Sequence, residues 1–394
     1  MLPPDPIKRR RLGALAAVAA LAAGGGIAVG SGGDEVVDAE GGGVPVTGPI
    51  TAATSRTATA TGRAQTATAP APAGKPSSSA QLQREAGQTV VLRFAGTRAP
   101  AYVLRALRER RAAGVILFRD NVTSPAQLRA LTKSVQRAGG GRALIMTDQE
   151  GGEIRNVRWG APETAPPRIR SLGAATALAR ATARDLRAAG VNVNLAPVAD
   201  VGTWPGSVMR SRAFPGGGDA VGRAVAATVK GYAAEGVLAT AKHFPGLGRS
   251  TKNTDFDLAR VAGRGDLAPF RAAIAAGVPL VMTSHALHPE LDPDRIASQS
   301  RRITTGLLRD QLGFTGACIT DSLEAQAVVR RSSTPVAAER SMRAGCDLML
   351  TTGPGSYLEV LRRFVRLART DQPFRNRLAE ARGRIGKLLP QRAG

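Results

Sequence analysis

The chain has 394 residues, a formal net charge of +24 carried mostly by arginine, 4% aromatics, 46 Gly and 25 Pro. Its length allows two or three ordinary domains, or one large α/β barrel behind a tail. With 43% hydrophobic and 21% charged residues it is neither wholly disordered nor a polytopic membrane protein, and two cysteines and three histidines exclude a disulfide scaffold and a Cys-rich zinc module.

The N-terminus places Lys8, Arg9, Arg10 and Arg11 before an uncharged Ala/Leu/Gly/Val run from Leu12 to Gly30. A cationic cluster ahead of an apolar run predicts a secretory signal peptide or an uncleaved signal-anchor over residues 1–30. No cysteine follows it, so lipoprotein processing is excluded. Residues 31–80 are rich in Gly, Ala, Thr, Pro and Ser. They hold too little apolar surface to offset the entropy of ordering and are predicted to form a flexible linker. The expected protein is exported, either secreted or membrane-anchored.

From residue 81 to 394 one pattern recurs. Strand-like runs occur at Val90–Phe94, Gly114–Phe118, Ala143–Asp148, Val191–Pro197, Val237–Phe244, Pro279–His285, Ala317–Asp321 and Cys346–Thr351. Between most of them lie stretches with helical spacing, such as Ala174–Ala189, Ala220–Glu235 and Leu267–Ala276. Eight strand-then-helix units predict a TIM (β/α)8 barrel. A doubly wound open sheet is the alternative, but no Gly-rich dinucleotide fingerprint follows the first strand. Gly139, Gly140 and Gly141 precede a strand and read as a turn.

Polar residues gather where such a barrel keeps its chemistry, at the carboxyl ends of strands. These are Asp148 to Glu150 after the third run, Asn194 and Asp200 after the fourth, and Lys242 and His243 in the fifth. Ser284 and His285 end the sixth, and Asp321 ends the seventh. No Gly-x-Ser-x-Gly elbow or phosphate loop is present, and no His is near either cysteine in sequence. His285 and His288 lie three apart after a strand, where helical ligand spacing does not apply. No cofactor or metal is expected. Carboxylates ringed by Lys, Arg and His donors suit sugar hydroxyls, and a carboxylate at a strand end suits attack on an anomeric carbon.

The chain from about Gln81 to Leu389 resembles the barrel domain of glycoside hydrolase family 3, and within it the single-domain bacterial β-N-acetylglucosaminidases. The matching stretches include Gly114-Val-Ile-Leu-Phe118, Asp148-Gln-Glu-Gly-Gly152, Asn194-Leu-Ala-Pro-Val198 with Asp200, and Lys242-His-Phe-Pro-Gly246. Ser284-His285, Leu291-Asp-Pro293, Leu312-Gly-Phe314 and Ile319-Thr-Asp321 follow in order. The resemblance implies a retaining hydrolase acting on terminal β-linked sugars, with N-acetylglucosamine of cell-wall glycans as the expected substrate and Asp321 as nucleophile. It implies that Asp148, Arg212, Lys242, His243 and His285 bind the sugar. A cation at Arg212 is expected to keep Asp148 and Asp321 ionised.

The sequence departs from the family pattern in the loop after Lys242. Where the glucosaminidases place Asp-Ser-His, whose His is the acid/base, this chain reads Asn253-Thr254-Asp255. A family His-Gly is here Leu247-Gly248, and a family Arg after Gly152 is Glu153. Asp255 is the expected acid/base, since a carboxyl in a closing loop can protonate a leaving group when its pKa is raised. Glu153, Glu290 or a partner chain are alternative acids, and a non-catalytic, membrane-anchored glycan-binding module is the alternative function.

Cys318 and Cys346 lie on neighbouring strands and are expected as two buried thiols, with a disulfide as the alternative in an exported protein. Trp159 and Trp204 follow strands that end in site residues and either pack a loop or stack on a sugar. The positive charge favours an anionic cell-wall polymer or a membrane surface as partner. Scarce aromatics argue against nucleic acid. A monomer is expected.

Overall fold

The computed structural model describes residues 78–388. The segment expected as signal or anchor, residues 31–77 of the expected linker and residues 389–394 lie outside the described residues. The first described helix, α1 (Ser79–Gly87), begins inside the last two linker positions, with the Ser78 hydroxyl accepting from the Gln81 N–H at 3.2 Å. Among the described residues no helix is long and apolar enough to cross a membrane.

Eight parallel strands form the centre. They are β1 (Val90–Arg93), β2 (Gly114–Leu117), β3 (Leu144–Thr147), β4 (Val193–Asn194), β5 (Leu238–Phe244), β6 (Leu280–Thr283), β7 (Ala317–Thr320) and β8 (Met349–Thr351). Each pairs with the next in parallel from β1 to β7, and β8 pairs with β1. The ring closes between β7 and β8 through a single bridge, Ile319 to Leu348. Outside it stand α2 (Ala101–Arg108), α3 (Pro125–Ala138), α4 (Leu172–Ala188), α5 (Gly218–Ala234) and α6 (Ala268–Ala275). A π-helix (Arg302–Gln311), α7 (Gln326–Val329), α8 (Thr334–Ala344), α9 (Ser356–Thr370) and α10 (Gln372–Gly386) complete the outer layer. The expected barrel is thus present. The fourth run, read as a seven-residue strand, is paired over only two residues.

Strand alternation divides the core into two layers. Val91, Ile116, Leu144, Met146, Leu280, Met282, Ala317 and Ile319 fill the inside of the ring. Val90, Leu92, Val115, Ile145, Val281 and Cys318 pack outward against the helices. This parity decides where the polar residues at the strand ends point. Asp148 continues the inward series of Leu144 and Met146, and Asp321 that of Ala317 and Ile319. The Gly139 to Gly141 turn caps α3 before β3, with positive φ at Gly140 and Gly141, as a chain reversal there requires.

Candidate active site

The carboxyl ends of β3, β5 and β7 and the loops after β4 and β5 bring most of the expected residues to one mouth. On β5 the ladder to β6 is irregular: Lys242 opposes Met282 and Phe244 opposes Thr283, so His243 is an extra residue. Such a bulge re-aims side chains, and here it lets adjacent Lys242 and His243 both serve the site. The Lys242–His243 peptide is cis.

Lys242 is 2% exposed and its ammonium donates to Asp148 Oδ1 and lies against Glu150 Oε1, both at 2.6 Å. Burial works against its charge, but Asp148 and Glu150 outweigh it and raise its pKa. Arg212, from the loop after β4, forms a fork onto Glu150, with Nε to Oε2 at 2.8 Å and Nη2 to Oε1 at 2.6 Å. Glu150 is correspondingly held far below the usual carboxylate range: burial alone would raise it, and Arg212 and Lys242 overcome that. The role expected for Arg212 is thereby corrected. Its direct carboxylate partner is Glu150, while Lys242 holds Asp148.

His243 Nδ1 lies 2.7 Å from Asp200 Oδ2, and Asp200 Oδ1 accepts the Leu247 N–H at 2.5 Å. Asp200 is fully buried and fixes both the imidazole and the loop that follows. His243 Nε2 sits 3.4 Å from Arg212 Nη2. Arginine has no acceptor, so this nitrogen can only receive that contact, which leaves Nδ1 as the donor to Asp200.

His285 is the second correction. It shares the outward parity of Val281 and is fully buried, with Nδ1 2.8 Å from Ser298 Oγ and Nε2 2.9 Å from the Ser322 carbonyl oxygen. That carbonyl can only accept, so Nε2 carries the hydrogen and Nδ1 accepts from Ser298. Both ring nitrogens are occupied and neither offers a donor to a sugar. His285 instead clamps the backbone just after Asp321, and burial lowers its pKa.

Asp321 is partly exposed at the mouth and its Oδ1 accepts the Ser322 N–H at 2.7 Å. Burial pushes its pKa up, but His243, His285, the Ser322 N–H and Lys242 together hold it below the usual range. Asp255 stands on the exposed rim facing this group. Desolvation of its carboxyl, reinforced by repulsion from Asp321, pushes its pKa up to about 6. Its loop is fixed: the Asp255 N–H donates to Asn253 Oδ1 at 2.9 Å, and the Thr254 and Asp255 carbonyls accept from Ala327 and Gln326 of α7. Asn253 therefore shapes the turn that carries the carboxyl.

Two carboxyl groups at one mouth, one ionised and one that keeps its proton up to about pH 6, are the apparatus of sugar transfer. The family model for the glycosyl hydrolase family 3 N-terminal domain matches residues 81–385. The chain belongs to glycosyl hydrolase family 3. It is a glycosidase with the barrel that the resemblance implied. A β-hexosaminidase of Stenotrophomonas maltophilia (strain R551-3) is 34% identical over 284 residues, covering 67% of this chain and 83% of that protein. An uncharacterized secreted glycosyl hydrolase of Arthroderma benhamiae is 34% identical over 300 residues, covering 71% and 84%. Among solved structures, a family 3 β-N-acetylglucosaminidase from Paenibacillus sp. str. FPU-7 superposes with a TM-score of 0.73 at 31% identity, covering 78% of this chain and 62% of that one. This chain thus spans less than two thirds of that protein's length. The β-N-acetylhexosaminidase of Beutenbergia cavernae superposes with a TM-score of 0.69 at 31% identity, with 97% of its chain covered.

Within this family 3 site, Glu150 and Asp200 are residues that the sequence places at strand ends but to which sequence reasoning gave no role. A signal for Glu150 was present: two residues beyond Asp148 in extended chain, it returns to the same side. Of the alternative acids, Glu153 is an exposed residue whose carbonyl accepts from Arg119, and Glu290 is exposed beside a hairpin turn. Neither carries a contact to the carboxylates above. Trp159 and Trp204 are both exposed, and Arg249 lies over the Trp204 ring at 5.3 Å. Phe256, next to Asp255, is 51% exposed and was not anticipated. Cys318 and Cys346 are buried free thiols with their sulfurs 3.1 Å apart. No group of metal-ligating side chains occurs among the described residues.

Proposed function

We propose that the enzyme removes terminal β-linked N-acetylglucosamine from cell-wall glycans by double displacement, outside the cytoplasm. The observation that carries this reading is the opposite displacement of two neighbouring carboxyls: Asp321 ionised, Asp255 raised to about 6. Asp321 attacks the anomeric carbon while Asp255 gives its proton to the glycosidic oxygen, which leaves with the bonding pair. Asp255, now ionised, takes a proton from water, and the oxygen of that water displaces Asp321 to release the sugar with its configuration retained. Asp148, held on one oxygen by Lys242, accepts from sugar hydroxyls, and the Lys242 ammonium lies where it can donate to the same ring, while His243, expected as a second donor, has both ring nitrogens taken by Asp200 and Arg212. The names of the relatives support the N-acetylhexosamine assignment. The cationic N-terminal run supports export.

The reading is tested by Asp255→Ala. General acid help is typically worth about 10²–10⁴ in rate. Turnover of a natural β-N-acetylglucosaminide should fall by that order, while an activated aryl glycoside, whose leaving group needs no proton, should fall far less. Equal losses on both would remove Asp255 as the acid. Binding of N-acetylglucosamine by the unaltered protein with no turnover of either substrate would favour the glycan-binding module instead.

A further inference from the structure

At the opposite end of the barrel from the carboxylates, a groove of about 550 Å³ crosses the amino-terminal ends of β1, β2 and β3. Arg108, Arg110, Arg137, Arg142 and Arg382 line it, and no Asp or Glu does. Arg108, Arg137 and Arg142 are exposed, and none of their guanidinium groups makes a hydrogen bond or ion pair with another described residue. Arg110 reaches only a neutral partner, Gln88 Oε1, at 3.0 Å. Arg382 approaches Glu85 at 3.6 Å, and its Nε is buried without a partner. Between the arginines, apart from Gln88, the lining is apolar, with Leu107, Leu144 and Ile385 among alanines and glycines at the ends of strands. A cationic cleft over a low-dielectric floor focuses its field outward, and its like charges repel until an anion enters.

We propose that this groove binds the phosphate groups of a linear polyanion. Guanidinium forks match phosphate oxygens two at a time, which suits arginine here better than lysine. A bilayer surface is disfavoured by the lining. Among the described residues the exposed large apolar side chains, Tyr102, Trp159, Leu172, Trp204, Phe256 and Val329, all lie outside the groove, so it has no exposed large apolar side chain to insert among acyl chains. Because the groove and the carboxylates sit at opposite ends, a bound polyanion leaves the mouth free. The groove then acts as a holding site on an anionic matrix, independent of the glycan reading.

The test is fluorescence anisotropy of the full chain with labelled short-chain inorganic polyphosphate over a salt series. The unaltered protein should bind, with affinity falling as salt rises because each contact releases condensed counterions. The triple variant R108E/R137E/R142E should lose about tenfold or more in affinity, with the salt slope reduced by about one per arginine. The triple variant R129E/R187E/R271E makes the same charge change on exposed positions of α3, α4 and α6 outside the groove. It should lose less than about threefold, the smaller effect expected from net charge alone. Both variants should keep the circular dichroism spectrum and cooperative thermal unfolding of the unaltered protein, which reports that they fold whatever sugar the mouth accepts. Equal losses in the two variants, no binding of polyphosphate by the unaltered protein, or binding only to phosphatidylglycerol vesicles would each overturn the assignment.

Discussion

Asp255 and Asp321 carry the same functional group and titrate in opposite directions because their neighbours differ. Asp321 meets His243, His285, Lys242 and a backbone N–H, whereas Asp255 meets desolvation and the charge of Asp321 itself. The consequence for pH has a definite sign. An acid raised to about 6 bears its proton below that pH and loses it above, while Asp321 stays ionised throughout this range. On a natural glycoside, kcat/KM should therefore be level below pH about 6 and fall about tenfold per unit above it. Asp255→Asn should lower the plateau and erase that limb. A limb that persists in the variant would assign it to another group.

At the scale of elements, the acid-bearing loop is positioned by α7, the short helix that follows the strand carrying Asp321. Gln326 is the first residue of α7 and donates its N–H to the Asp255 carbonyl at 3.2 Å, while Ala325 before it is extended at φ −57 and ψ 141. Proline is accepted at a first helical position, and an extended predecessor suits it. Gln326→Pro should thus leave thermal stability nearly unchanged while removing the tie of α7 to the Asp255 carbonyl, with only Ala327 still holding Thr254. Turnover of natural substrate should fall more than turnover of the aryl glycoside, and a parallel fall in both would dissociate the loop from proton transfer. The strands and their inward carboxylates were legible in the sequence because period-two alternation and strand-end placement are local properties. Asp148, Lys242 and Asp321 follow that rule. His285 was misread because the same alternation, carried two residues past β6, turns it outward onto Ser298. Arg212 was assigned the wrong partner because its fork onto Glu150 spans two loops, and no local pattern encodes that contact.

At the scale of the molecule, the barrel closes at its thinnest seam. β7 and β8 share one bridge, and the fully buried Asp347 beside it binds the Cys318 N–H at 2.9 Å, Arg309 at 2.6 Å, Arg377 at 2.5 Å and Arg384 at 3.1 Å. One carboxylate ties the seam to the π-helix and to α10. Removing one partner of a buried ionic cluster costs about 3–5 kcal/mol because the remaining charges are left uncompensated. Asp347→Ala should cost that much in urea unfolding. A change below about 1 kcal/mol, the size of an exposed pair, would show that the strands close without it. The sequence placed the strands of this ring, but not the cluster that joins its ends, since Arg309, Arg377 and Arg384 come together only in the folded chain.

Nucleophilic attack by Asp321 is the step on which the catalytic account depends. It is tested most directly by the intact mass of the enzyme after incubation with a ring-fluorinated N-acetylglucosaminyl fluoride, whose leaving group departs without an acid. The account predicts a mass increase of one glycosyl unit, mapped by peptide digestion to Asp321 and absent in Asp321→Asn. Turnover with no adduct, or an adduct on any other residue, would contradict it.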